Sequence, residues 1–240
     1  MVESGNAVAL MGNHEYNALC FHYQETEGGH LRRHLIKNII QHYETLKQFQ
    51  NMQREYEEYL DWFKTLPLFY ENESLRAVHA CWDAEHIRLL RDTLENDRLT
   101  EDLIYESVKK GTEFNNALED NLKGKEIRMP IGLTFTDKDG AIRHDIRVKW
   151  WENPSRITYK DYSVEPIDNL PLSPVQSHHK DYYSENDKPV FFGHYWLKGN
   201  PSLYRNNICC LDYSVANGGL LAAYRFDGEK VLDESKFVYV

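Results

Sequence analysis

The 240 residues carry 28 Lys and Arg against 38 Asp and Glu, a formal net charge of −10, which argues against a protein that grips a nucleic-acid backbone by bulk electrostatics. With 41% hydrophobic and 28% charged residues, the chain is long enough for one substantial core and reads as a soluble single domain over residues 1–240. No apolar stretch approaches a membrane span, residues 1–12 lack the features of a signal peptide, and Cys20, Cys81, Cys209 and Cys210 form no Cys-x-x-Cys pair; the expected setting is the reducing cytoplasm, with no membrane partner.

Residues 6–11 (NAVALM) predict a short buried strand, broken at Gly12, with a helix beginning near His14. From Leu31 to Leu66 apolar residues recur at mostly helical spacing, and Pro67 closes the pattern, which predicts two helices. A second short strand is expected at 75–80 (LRAVHA), followed by helices to about residue 122. Residues 132–151 read as a hairpin with Asp139-Gly140 at the turn. Its second arm places Ile142, Ile146, Val148 and Trp150 on one face and Arg143, Asp145, Arg147 and Lys149 on the other. Residues 152–188 lack periodicity and read as a long surface excursion. Strands resume at 189–193 (PVFFG), 208–212 (ICCLD), 219–226 (GLLAAYRF) and 237–240 (FVYV).

One arrangement appears three times: Ala-Leu-Met-Gly12-Asn13-His14, Arg-Ala-Val-His79 and Val-Phe-Phe-Gly193-His194. Each puts a neutral nitrogen or oxygen donor just after an apolar strand. Ligands collect at the carboxyl ends of strands in α/β sheets, so Asn13, His79 and His194 could converge on one ion. Gly12 and Gly193 would let the backbone turn there. The plainer reading of any one of these histidines is a hydrogen-bonded structural residue; it is the combination that points to a metal site.

Gly-Asn-His-Glu (12–15), Val-His-Ala (78–80) and Gly-His-Tyr-Trp (193–196) resemble, in order, the third to fifth metal-site motifs of the calcineurin-like metallophosphoesterases. The likeness is greatest to the branch of the serine/threonine phosphatases and bis(5′-nucleosyl)-tetraphosphatases, and it extends to the closing LDYSVANGGLLAAYRFDGE. The resemblance implies an α/β fold, a sandwich of two mixed β-sheets flanked by helices, with a helical and hairpin insertion or cap over about 83–188. It implies hydrolysis of a phosphoester or phosphoanhydride by a metal-bound hydroxide, with two divalent ions (Mn, Fe, Zn or similar) in the intact site. Asn13, His79 and His194 would be ligands of the second metal. His14 would be the catalytic acid that protonates the leaving oxygen, or would stabilise its developing charge. Substrates would be phosphorylated small molecules, nucleotides or phosphoproteins.

Two motifs of that family, Asp-x-His and Gly-Asp-x-x-Asp-Arg, do not occur in the 240 residues. They supply the first metal's ligands, the bridging carboxylate and a phosphate-binding Arg, and they precede the Gly-Asn-His-Glu strand. The expectation is an N-terminally truncated phosphoesterase, lacking the first strand–helix units and weakly active or inactive alone. A separate N-terminal segment could complete it. The rival expectations are a non-catalytic remnant or partner-binding domain and, against the lack of cysteine ligands, a structural metal domain.

Other features are open. Glu15 could orient His14 or favour a helix N-terminus. Arg143, Arg147 and Lys149 could bind substrate phosphate or form a solvated face. Trp150, Trp151 and Trp196 could stack on a base or belong to the core. His178-His179 reads as a solvated pair, and the helices over 31–66 and 83–122 as a cap or as ordinary packing.

Overall fold

A computed structural model describes residues 1–136, 140–176 and 181–240. The order begins α1 (Asn13–His22), α2 (Ile36–Gln48), α3 (Gln53–Lys64), β1 (Phe69–Glu71), β2 (Arg76–Val78), α4 (Ala84–Thr93), α5 (Glu101–Ser107) and α6 (Glu113–Lys123). It continues with β3 (Glu126–Arg128), β4 (Phe135–Thr136), β5 (Ile142–Arg143), β6 (Asp145–Arg147), α7 (Tyr159–Tyr162), β7 (Val190–Phe192), β8 (Ile208–Cys210), β9 (Asp212–Tyr213), β10 (Leu220–Tyr224) and β11 (Phe237–Tyr239). The class is mixed α/β. The chain forms two compact units, a helical one of Met1–Tyr70 with Arg88–Leu118 and a sheet-rich one of Glu71–Ile87 with Glu119–Val240.

In the helical unit α1 buries Tyr16, Ala18, Leu19, Cys20 and Phe21, so its second half is covered on several sides. The expected pair over 31–66 is α2 and α3, which end at Gln48 and Lys64, before Pro67. The strand expected at 6–11 does not form: the segment has no regular structure, Met11 N donates to Pro67 O, and Val8 is 57% exposed. An apolar run marks burial and cannot by itself provide a neighbouring strand to pair with.

The sheet-rich unit is built on β2, β7 and β8, which run parallel in that order. β7 and β8 are buried at every residue, the pattern of strands covered on both faces. A second, antiparallel sheet has the order β11-β10-β9. The predicted hairpin is divided: β4 pairs with β5, but β6 leaves to pair with β3. Ile146, Val148 and Trp150 are buried as the alternation requires, while Ile142 is 67% exposed. Asp139, at the expected turn, lies outside the described residues.

Residues 152–188 are not simply a surface excursion. Tyr159, Tyr162 and Leu170 enter a core with Ile127, Met129, Ile146 and Val148. Their contributions come from a four-residue helix and irregular chain, too short to create a period.

Candidate metal centre

Register brings the carboxyl ends of the parallel strands together: Ala77 pairs with Phe191, and Phe192 with Cys210. The residues that follow are His79, Gly193-His194 and Asp212. Gly193 N donates to His79 O at 2.9 Å. Across this junction His79 Nε2 lies 3.2 Å from His194 Nδ1, with ring centroids 5.1 Å apart and planes inclined at 65°.

The backbone around the pair is tightly held. Ala80 O accepts from both Trp150 Nε1 and Tyr195 Oη, each at 3.1 Å, and Ala80 N donates to Asn121 O at 3.0 Å. The sharp turns expected at Gly12 and Gly193 are not made by the glycines. Gly12 is extended (φ −100°, ψ 175°), and it is His194 that takes φ +75°, a conformation costing a side-chain-bearing residue roughly 1–2 kcal/mol. Asp212 secures that loop, one carboxylate oxygen accepting from Trp196 N at 3.1 Å and the other from Ser214 N at 3.0 Å. Asp212 was not among the sequence candidates, although it too follows an apolar strand.

The chemistry of the pair fits a cation. Two imidazole nitrogens bound at about 2.0–2.1 Å to one ion stand roughly 2.9–3.4 Å apart for octahedral to tetrahedral angles, and the observed 3.2 Å lies inside that range. The same spacing is that of one imidazole donating to the other.

A second group, unforeseen in the sequence, lies in the same unit. Asp83, His86 and Asp120 each offer a ligand atom within 4.8 Å of the others, a set that could hold a metal ion. His86 Nδ1 faces Asp120 Oδ2 at 3.1 Å, and this carboxylate raises the imidazole against the opposing effect of burial. Asp83 is already engaged on both oxygens: Oδ1 accepts from Glu85 N and His86 N, and Oδ2 meets Lys125 Nζ at 2.5 Å. Burial would lift the Asp83 carboxyl, but Lys125 holds it below its ordinary value. An incoming ion would have to displace that ammonium, so charge balance favours an internal ion-pair network here. Cys81 is buried, and burial keeps its thiol protonated. The Asp-x-x-His spacing of 83–86 at a helix start was the available signal.

Asn13 and His14 belong to the helical unit, at the first two positions of α1, whereas His79 and His194 belong to the sheet-rich one. Glu15 closes the helix start, its Oε2 accepting from Gly12 N at 2.9 Å, as a capping box requires. Arg147 meets Glu126 at 3.5 Å and Glu165 at 3.8 Å, and Lys149 Nζ donates to Asp161 O at 2.7 Å, so these cations are engaged inside the unit. Arg143 lies in β5. Trp150 and Trp151 are core residues packed edge to face, and Trp196 is 40% exposed. His178-His179 lies outside the described residues.

Comparison of the chain with protein-family models, with curated proteins and with solved structures gives no match in any of the three.

Proposed function

We propose that the chain takes part in metal-dependent hydrolysis of phosphoester or phosphoanhydride bonds, on a metallophosphoesterase-type sandwich. The observation that carries this reading is the meeting of His79 and His194 beyond the ends of two adjacent parallel strands. In it His79 and His194 hold a divalent cation (Mn, Fe, Zn or similar). The cation, when bound, would offset phosphoryl charge and acidify a water. The resemblance gives the proton for the leaving oxygen to His14, which stands on α1 in the helical unit. Trp150, Tyr195 and Asp212 keep the histidine-bearing segments in place. The substrate is a phosphorylated small molecule, nucleotide or phosphoprotein.

Both donors are neutral, so affinity for a dication is modest. A second reading, a non-catalytic remnant or partner-binding domain, draws support from the lack of Asp-x-His and Gly-Asp-x-x-Asp-Arg in the sequence. The test is Mn²⁺ titration of the purified chain, with hydrolysis of p-nitrophenyl phosphate and diadenosine tetraphosphate measured alone and with an added segment bearing the two motifs. Expected are a weak Mn²⁺ site whose affinity falls at least about 10-fold in His79→Ala or His194→Ala, near-background turnover alone, and a gain with the segment. In the activated mixture His14→Ala lowers kcat by about 10²–10⁴ on the nucleotide and less on the aryl ester. Absence of Mn²⁺ binding, or turnover indifferent to His79→Ala, refutes the proposal.

A further inference from the structure

The helical unit contains a cluster of rings for which the proposed hydrolysis has no use. His22 on α1, His42 on α2 and Tyr56 on α3 converge: the Tyr56 hydroxyl lies 3.1 Å from His22 Nε2 and 2.7 Å from His42 Nε2. Tyr56 is 2% exposed. Aromatic neighbours fix the rings, since Phe49 stacks on Tyr56 at 4.8 Å between centroids and His42 packs on Phe21 at 4.8 Å. His22 meets the Tyr56 ring edge to face at 4.9 Å.

We propose that His22, His42 and Tyr56 form a binding site for a divalent transition-metal cation of the copper or zinc class. The two Nε2 atoms and the phenolic oxygen are its ligands. Three considerations carry this. The nitrogen–oxygen separations match the edges of a coordination shell with bonds of about 2.0–2.2 Å. The donor set, two imidazoles and an oxygen without thiolate, is one that copper(II) and zinc accept well. A cleft of about 470 Å³ in the same unit is lined by His22 together with Glu57, Asp61, Glu101 and Lys64, so three carboxylates against one ammonium draw a cation toward the ring cluster. A neutral imidazole keeps one unprotonated ring nitrogen, so each ring has a lone pair to offer. Burial pushes the Tyr56 phenol up to about 12, so a bound cation must displace a firmly held proton to solvent; three protein ligands leave room for a water.

The alternative is a structural pin, in which the hydroxyl donates to one ring and accepts from the other. Copper(II) titration of the full chain, followed by visible absorption and electron paramagnetic resonance, separates the two. A metal site gives a tyrosinate-to-copper charge-transfer band that saturates, is lost in Tyr56→Phe with at least about 10-fold weaker binding, and shows reduced nitrogen coupling in His42→Gln. Zinc should compete the band away. The band survives in the His79→Ala/His194→Ala variant, which removes the cation site of the proposed hydrolase, so failure of either reading is seen apart from the other. Should Tyr56→Phe not fold, the ultraviolet difference signature of tyrosinate on adding zinc to the unaltered chain decides. No charge-transfer band and no tyrosinate signature, or a band unchanged in Tyr56→Phe, leaves only the pin and overturns the proposal.

Discussion

In the helical unit His22 and His42 share one tyrosine hydroxyl among aromatic rings, whereas in the sheet-rich unit His86 faces the Asp120 carboxylate and His79 faces another imidazole across two strand ends. The first setting favours neutral rings, because each added proton would be buried beside other imidazoles. The second raises His86, because a carboxylate waits for its proton. The units also differ in how they hold their rings. His22 and His42 rest on side-chain packing between helices, while His79 and His194 sit on a backbone pinned by Ala80 O, Asn121 O and Asp212. Ring position in the sheet-rich unit should therefore depend on backbone substitutions, and in the helical unit on pH.

The largest expected effect tests the backbone half of that contrast. Gly124 follows α6 with φ +84°, and a Cβ there would stand 2.6 Å from Tyr195 Oη, the same hydroxyl that donates to Ala80 O. Gly124→Ala combines a left-handed backbone with an overlap against a buried ring, together about 2–4 kcal/mol. Urea unfolding read by hydrogen exchange should show that loss across β2, β7 and α6, with the protection of α1 little changed. A loss below about 1 kcal/mol would mean that Tyr195 yields easily and that the strand-end site is softer than its hydrogen bonds indicate.

The second effect is pH. His42 is lowered to about 4 from 6.5, so the folded helical unit disfavours its protonated form. That contribution to stability is intact above the unfolded value and is lost as pH falls from about 6.5 toward 4. The ring is only half buried, and after allowance for solvent screening the loss is about 1–2 kcal/mol. His86 carries the opposite sign: its stabilisation is present below about 6.5 and fades as pH rises through its raised folded value. Hydrogen exchange of α1–α3 and of the start of α4, followed from about pH 4 to 8, should move in opposite directions. Parallel trends would break the comparison.

Parts of this arrangement were legible in the sequence for a stated physical reason. Helices α2 and α3 carry their amphipathic period in full, and the ends of parallel strands are where ligands gather, so His79 and His194 could be paired without knowing the turns between them. The same reasoning failed at 6–11, where apolar content did not supply a ladder partner, and at 152–188, where Tyr159, Tyr162 and Leu170 reach the core without a repeat. Asp120 is brought to the Asp83–His86 helix start from α6, and His22, His42 and Tyr56 come from three separate helices. Beyond the Asp-x-x-His spacing, such groupings depend on tertiary packing that no local pattern records.

The smallest expected effect concerns Glu15, for which the sequence left two roles open. Its carboxylate accepts from Gly12 N at 2.9 Å, and the acidic side chain lies in the first turn of α1, where the helix dipole favours negative charge. Glu15→Gln keeps an oxygen for the Gly12 amide and removes only the charge. If capping is the whole of its role, stability falls by a few tenths of a kcal/mol, and hydrolysis that depends on His14 keeps its rate and its pH profile. If Glu15 instead tunes His14, the substitution shifts the pH profile of nucleotide hydrolysis while leaving the unfolding midpoint nearly unchanged. The reconstituted mixture described above makes both readouts accessible, and a shifted profile with unaltered stability would show that the cap seen at Gly12 is not the function that matters.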